Sequence, residues 1–93
     1  MSADRQRIDR WLWHARVVRT RTTAASLAAA GHVRINGAKI RAPGRGVKCG
    51  DVVTIALDHG VRVLKIHGFA PRRGDAEAAG RLYEELGQAH ERD

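Results

Sequence analysis

Apolar residues recur at helical spacing in the first third of the chain. One stripe is formed by Ile8, Trp11, Leu12, Ala15 and Val18. Its spacing of three and four residues predicts an amphipathic helix over about residues 8–18. A second helix is predicted from Thr20, a favourable N-cap, to Gly31, the residue type that commonly follows a helix end. Small side chains at Ala24 and Ala28 would let the two helices pack closely.

The hydrophobic period changes to two after the second helix. Val33 and Ile35 alternate with polar residues, and Ile40 continues the alternation after Asn36-Gly37. Asn-Gly between alternating segments is a strong signal for a two-residue β-hairpin turn. The pattern therefore predicts a hairpin whose three aliphatic side chains face the core.

The second half of the chain predicts two more strands and a helix. The strands cover residues 52–57 and about 61–69, with a short turn at 58–60 between them. The helix covers about residues 75–88 and begins with Asp75 as its N-cap. One face of this helix would carry Ala79, Leu82, Tyr83 and Leu86.

These elements together predict an α+β fold. Two N-terminal helices would pack on a small, mainly antiparallel, twisted sheet, and the C-terminal helix would follow. We expect a single domain over residues 1–93.

The positive charge of the chain is confined to its first half. The 93 residues carry a formal net charge of +7. Residues 1–49 hold eleven cations and two carboxylates, whereas residues 50–93 hold six cations and eight carboxylates. A one-sided excess of this kind is typical of proteins that bind a polyanion, and nucleic acid is the first candidate.

Several classes of protein are disfavoured by the same sequence. No apolar run approaches the ~20 residues of a membrane span, and the polar first ten residues do not resemble a signal peptide. Cys49 is the single cysteine, so an intrachain disulfide is excluded and a reducing cytoplasm is the expected location.

The sequence gives little support for catalysis or a metal centre. Cys49 has no neighbouring base to activate it. The five histidines lack the spacing of a zinc site: His14, His32, His59, His67 and His90. We therefore expect no enzymatic activity, no catalytic residue and no cofactor.

The candidate binding residues surround the two N-terminal helices. Arg7, Arg10 and Arg16 lie off the apolar stripe, and Arg19-Thr20-Arg21 marks the junction between the helices. Free backbone N–H groups, Thr20 and an arginine at a helix start could together hold a phosphate.

Trp13 leaves two interpretations open. It is rotated by about 200° from Trp11 on an ideal helix, so it lies off the apolar stripe. It would either pack under the C-terminal helix or a loop, or provide a stacking platform for an unpaired base.

Three motifs resemble the S4-type RNA-binding domain, also called the alpha-L motif. They are R-I-D-R-W-L-W near the start, T-R-T-T-A-A at the second helix and G-H-V-R-I-N-G at the hairpin. Within that superfamily, Trp11-Leu12-Trp13, Thr20-Arg21 and the segment from Arg72-Arg73 through Leu82-Tyr83-Glu84-Glu85 resemble the bacterial heat-shock protein 15 family.

The resemblance implies a stress-related, ribosome-associated RNA-binding protein whose S4-like RNA-binding core covers about residues 7–69. Its partners would be ribosomal RNA and the large (50S) subunit that still carries a nascent chain on a tRNA, which it would help to recycle. The matching contact residues are Arg7, Arg10, Arg16, Arg19, Thr20 and Arg21, with Lys39 as their neighbour on the hairpin. The candidate set also includes Trp13, His14, Arg34, Asn36 and Arg41.

Three alternatives remain open at this point. The protein could be a general nucleic-acid binder with affinity for DNA, because phosphate contacts discriminate poorly between the two. It could be the recognition module of an RNA-modifying enzyme. It could also be a protein-interaction module that uses Trp13 and Tyr83.

Overall fold

Two helices packed on an antiparallel sheet form the centre of the computed structural model, which describes residues 4–90. The helices are α1 (Ile8–His14), α2 (Arg21–Ala29) and α3 (Ala76–Gly80). The strands are β1 (Arg5–Arg7), β2 (Val33–Ile35), β3 (Ala38–Ile40), β4 (Gly46–Lys48), β5 (Val52–Leu57), β6 (Gly60–Ile66) and β7 (Tyr83–His90). Five strands pair in the order β3-β2-β5-β6-β7, and β1 pairs with β4. This arrangement confirms the predicted α+β class.

The core lies between the two N-terminal helices and the inner face of the sheet. Its fully buried large residues are Ile8, Trp11, Leu12, Val33, Ile35, Val47, Val53, Ile55, Leu64 and Ile66. The apolar stripe of α1 and the inward positions of the hairpin are therefore assigned as predicted. None of the helices in the described part of the chain has the length and apolar character needed to span a membrane.

Helix α1 ends four residues earlier than predicted. The N–H of Val17 donates to the carbonyl of Leu12, and the N–H of Arg16 donates to that of Trp13. This pair of bonds is the Schellman turn, which requires a left-handed residue just past the helix end. Arg16 takes that conformation, with φ at +59°. A left-handed conformation costs a residue with a Cβ about 1–2 kcal/mol.

Helix α2 begins and ends at the predicted residues. The hydroxyl of Thr20 accepts a hydrogen bond from the N–H of Thr23 at 3.1 Å, as an N-cap does. At the other end the same Schellman turn recurs, with Gly31 at φ +83° in the left-handed position. Ala24 and Ala28 are fully buried, so α2 approaches α1 through small side chains.

The hairpin forms at Asn36-Gly37 in the predicted register. Val33 lies opposite Ile40, and Arg34 lies opposite Lys39. Asn36 has φ at +52°, which suits the primed turns that match strand twist.

The predicted C-terminal helix over residues 75–88 is wrong beyond Gly80. Asp75 caps α3 by accepting from the N–H of Ala78, as expected, but the helix lasts only five residues. Residues 83–90 instead form β7 and pair with β6.

Cross-strand contacts explain why residues 83–90 form a strand although the apolar residues in this part of the chain are spaced as in a helix. Arg62 on β6 donates from Nη2 to Glu85 on β7 at 2.6 Å and to the hydroxyl of Tyr83 at 3.4 Å. Gly80 weakens a helix at the point where α3 ends. Leu86, assigned to the apolar helix face, is 48% exposed at a bulge in the β6–β7 register.

The sequence does not predict strands β1 and β4, and strand β6 ends earlier than predicted. β1 and β4 have three residues each, too few to show a period of two. β6 ends at Ile66 rather than near residue 69. Residues 1–3 and 91–93 lie outside the described chain, so the single domain over residues 1–93 stays a prediction.

Residues 68–74, which we call the strap, cross helix α1 after β6. The indole N–H of Trp11 donates to the carbonyl of Gly68 at 3.1 Å. Nδ1 of His14 lies 3.0 Å from the carbonyl oxygen of Ala70, which can only accept, so Nδ1 carries the proton. The strap therefore satisfies two polar side chains of α1 that would otherwise be buried unpaired.

We expect Trp11→Phe to lower the free energy of unfolding by about 2 kcal/mol. The substitution removes the bond to Gly68 and part of the edge-to-face contact with Tyr83, whose ring centroid lies 6.4 Å away. Urea unfolding followed by circular dichroism measures the change. Trp13→Phe is the matched control, because Trp13 is only partly buried, and its effect should stay below about 1 kcal/mol. Equal losses in the two variants would contradict the role given to Trp11.

Candidate nucleic-acid interface

Asp9 brings two of the predicted cations together where α1 and α2 begin. Its buried carboxylate accepts hydrogen bonds from Nε and Nη2 of Arg7, both at 3.0 Å. Nε of Arg21 lies 3.8 Å from the same carboxylate. The bonds to Asp9 raise the pKa of Arg7 above its ordinary value. Because two guanidinium groups share one carboxylate, this part of the surface keeps a net positive charge.

The arginines around the α1–α2 connection are held by backbone carbonyls. Arg16 donates from Nε to the carbonyl of Gly74 at 2.8 Å. Arg73 donates from Nε to the carbonyl of Trp13 at 2.9 Å and from Nη2 to that of Val18 at 3.3 Å. A carbonyl oxygen orients a guanidinium group without cancelling its charge. Both arginines therefore remain electrostatically available to an anion.

Arg10 and Arg19 are exposed on the same helical pair. Arg10 lies on α1 and Arg19 lies in the connection to α2. None of the ion pairs found among residues 4–90 involves either side chain. Within the described residues, no carboxylate therefore cancels their charge.

The start of α2 matches the predicted anion-binding arrangement in part. The Thr20 hydroxyl is engaged with the backbone N–H and the hydroxyl of Thr23. The N–H groups of Arg21 and Thr22 belong to the first turn, where a helix offers no partner of its own. Thr20 thus caps the helix, and the two backbone donors beside it are left for a ligand or water.

The hairpin cations lie at the far end of α2. A Cβ at Gly31 would lie 3.2 Å from Nη1 of Arg41 and 3.3 Å from Cδ of Lys39, so both side chains pass over the helix end. Gly31 lies eleven positions after Thr20, which corresponds to about 16 Å along the helix axis. The structure therefore does not bring Lys39 beside Arg21. Arg34 lies next to Lys39 across the hairpin, on the exposed face.

Two predicted site residues have their polar atoms engaged within the fold. His14 is 3% exposed and is bonded to the strap. The Asn36 amide donates to Asp51 at 3.1 Å and accepts from the N–H of Val52 at 2.9 Å, which holds the hairpin against β5. RNA contact by either residue stays a prediction.

Trp13 favours the packing interpretation. Its ring is partly buried, and the guanidinium carbon of Arg73 lies over it at 6.0 Å from the centroid. The centroid of the His14 ring lies 5.4 Å from that of Trp13. The indole is therefore a support for Arg73, which weakens the alternative of a protein-interaction module built on Trp13.

Arg73 lies on this surface, but the sequence pattern does not predict a role for it. Arg72-Arg73 belonged to the family resemblance, but no spacing rule connects Arg73 with Trp13 or Val18, which are 60 and 55 residues away. The only signal in the sequence was its membership of that motif.

The basic helical pair lies within a segment that matches a known family model. The description of that model is "S4 domain", and it matches residues 6–53, from β1 through the hairpin to the start of β5. The chain belongs to the S4 domain family. The match confirms the resemblance stated from the three motifs.

The relatives identify the branch of this family. Heat shock protein 15 homolog of Aeromonas salmonicida is 33% identical over 79 residues, which are 85% of this chain and 59% of that protein. Heat shock protein 15 of Escherichia coli strain K12 is 30% identical over 86 residues, which are 92% of this chain and 64% of that protein. The chain thus spans about three fifths of the length of the curated relatives it matches.

A solved structure gives the same assignment. The trimeric structure of Vibrio cholerae heat shock protein 15 superposes with a TM-score of 0.83 at 31% identity, over 89% of this chain and 83% of that chain. The predicted membership of the heat shock protein 15 family is confirmed.

We expect His14 to make folding stability depend on pH. Burial lowers the pKa of His14, the bond to Ala70 opposes this, and the nearby charges of Arg10, Arg21 and Arg73 lower it further. The unfolded chain, with a histidine pKa of about 6.5, therefore binds the proton more tightly. The contribution of neutral His14 is complete above about pH 6.5 and is lost as the pH falls toward the lower pKa of the folded state.

His14→Asn tests this dependence, because the Asn amide can still donate to Ala70 without titrating. Melting temperatures from about pH 7.5 to about pH 5 should fall less steeply in this variant than in the parent protein. His32→Asn, at an exposed position, should keep the parent's slope. Parallel curves for the parent and His14→Asn would contradict the assignment.

Proposed function

We propose that this chain is a non-enzymatic RNA-binding protein whose contact surface is the outer side of α1, the α1–α2 connection and the β2–β3 hairpin. The observation that supports it most directly is the way three arginines of this surface are held. Arg16 is oriented by a backbone carbonyl, and Arg10 and Arg19 have no carboxylate partner in the described chain. In contrast, Arg62 and Arg81 outside this surface are paired with glutamates.

The partner in this proposal is structured ribosomal RNA of the large (50S) subunit. Membership of the heat shock protein 15 family supports this partner, together with a role in recycling subunits that still carry a nascent chain on a tRNA. The same membership supports a cytoplasmic protein. No catalytic step is part of the proposal.

Phosphate contacts would supply most of the affinity, and RNA shape would supply the selectivity. The deep, narrow major groove of A-form RNA does not admit side chains to the base edges. Arginines spread over two helices and a hairpin would instead follow the backbone and the wide minor groove. Duplex DNA has different groove dimensions, so it should compete less well than ribosomal RNA.

Salt dependence tests the electrostatic part of the proposal. The logarithm of the association constant for purified large subunits should fall linearly with the logarithm of salt concentration, by roughly 0.7–0.9 for each phosphate contact. Arg10→Ala and Lys39→Ala should each weaken binding and make the slope shallower by roughly 0.7–0.9, the contribution of one phosphate contact.

Arg81→Ala is the matched control, since Arg81 is exposed but lies beyond α3 in an ion pair with Glu77. It should leave both affinity and slope unchanged. A flat salt response of the parent protein, or equal losses in the control and the two test variants, would contradict the proposed surface. Excess duplex DNA in the same assay separates RNA binding from general nucleic-acid binding.

A further inference from the structure

A cleft opens where the α1–α2 connection faces the turn between β5 and β6. Its volume is about 540 Å³, within the range of about 300–1,000 Å³ of small-molecule sites. Three arginines line it, Arg16, Arg19 and Arg73, together with Val17, Leu57 and Asp58. The cleft therefore combines cationic, apolar and acceptor groups within one concave site.

Two of the three arginines in the cleft are oriented in advance. The carbonyl of Gly74 fixes Arg16, and the carbonyls of Trp13 and Val18 fix Arg73. Each guanidinium group has five N–H donors, so Nη donors remain after these bonds are made. The lining contains three arginines and one carboxylate, that of Asp58, so the cleft keeps an excess of positive charge. Such groups suit the bidentate binding of a phosphate.

The backbone conformation of Arg16 is a second, independent indication. Helices α1 and α2 end in the same Schellman turn, and the left-handed position is Gly31 in α2 but Arg16 in α1. Glycine takes this conformation without steric strain, whereas arginine does not. Backbone strain of this kind is concentrated at functional sites. The strained residue, Arg16, supplies a guanidinium group to the lining of the cleft.

The remaining lining suits the rest of a nucleotide. Val17 and Leu57 are partly buried and offer an apolar surface to the face of a base. The carboxylate of Asp58 can only accept hydrogen bonds, so it would select a donor such as a ribose hydroxyl or a base amino group. A base within a duplex is stacked and paired, and it cannot enter a site of this size.

We propose that this cleft binds a single unpaired ribonucleotide of the RNA partner. Its phosphate lies between Arg16 and Arg19, its base packs on Val17 and Leu57, and Asp58 accepts a hydrogen bond from its sugar or base. The inference rests on the proposed RNA binding and adds a preference for RNA in which an unpaired nucleotide flanks a helix.

Two fluorescent RNA hairpins with the same stem test the proposal, one fully paired and one with a single bulged nucleotide. The parent protein should bind the bulged hairpin about tenfold more tightly, because only the bulged nucleotide can enter the cleft; tenfold corresponds to about 1.4 kcal/mol. Arg16→Gly should abolish that preference while changing the melting temperature little, because the relief of the left-handed strain offsets the loss of the bond to Gly74. Arg19→Ala should reduce the preference without affecting folding.

Arg10→Ala is the control for the wider surface, since Arg10 does not line the cleft. It should weaken binding to both hairpins by the same factor and so preserve the preference. If Arg16→Gly also weakens both hairpins equally, the cleft proposal is overturned and the proposed function stands. If the parent binds neither hairpin nor the large subunit, the proposed function itself fails.

Asp58→Asn identifies the group that the carboxylate recognises. We expect the variant to lose part of the preference for the bulged hairpin. A loss restricted to a bulge that carries a 2′-hydroxyl, compared with a 2′-deoxy bulge, assigns Asp58 to the sugar. A loss that follows the identity of the bulged base assigns it to a base amino group. An unchanged preference in every comparison contradicts the role of Asp58.

Discussion

The bonding of the strap to helix α1 is the constraint on which both the core and the basic surface depend. From the C-terminal half of α1, Trp11 and His14 donate to carbonyls of the strap. In the opposite direction, Arg73 of the strap donates to the carbonyl of Trp13 at the end of α1 and to that of Val18 in the connection to α2. A short helix of seven residues has little intrinsic stability. Its position and the direction of the chain into α2 are therefore fixed by a segment about sixty residues later in the sequence.

This constraint also solves an electrostatic problem. A basic surface needs its arginines to be ordered, but the usual way to order an arginine is a carboxylate that cancels its charge. Arg62 and Glu85 show that usual way in β6 and β7, where the side chains serve the sheet. At the α1–α2 connection, Arg16 and Arg73 are ordered by carbonyl dipoles instead. The fold thereby obtains directed guanidinium groups without losing positive potential.

The parts of the molecule that sequence could predict are those with local causes. The Thr20 cap and the Asn36-Gly37 turn depend on residues within a few positions, and both were placed correctly. The strand β7 has a non-local cause, because Tyr83 and Glu85 meet Arg62 only once β6 is in place. The same holds for the site. The basic residues of the helical pair were visible as a pattern, whereas the position of Arg73 over Trp13 and the cleft beside it required the tertiary structure.

Three cations occupy positions that local rules disfavour, and all three lie in the basic half of the chain. Arg16 takes the left-handed position that α2 gives to a glycine. Arg21 lies in the first turn of a helix, where the dipole already favours an anion, and Asp9 at 3.8 Å offsets this only weakly. Arg34 lies directly opposite Lys39 in the hairpin, a like-charge pair.

Each of these costs is small by itself, and none is removed by a contact elsewhere in the described chain. A bound polyanion would reduce the costs at Arg21 and Arg34 directly, because it neutralises the positive helix end and the cross-strand pair. It would also bind the guanidinium group of Arg16, the residue whose backbone is strained. One anionic partner would account for three separate departures from local preference.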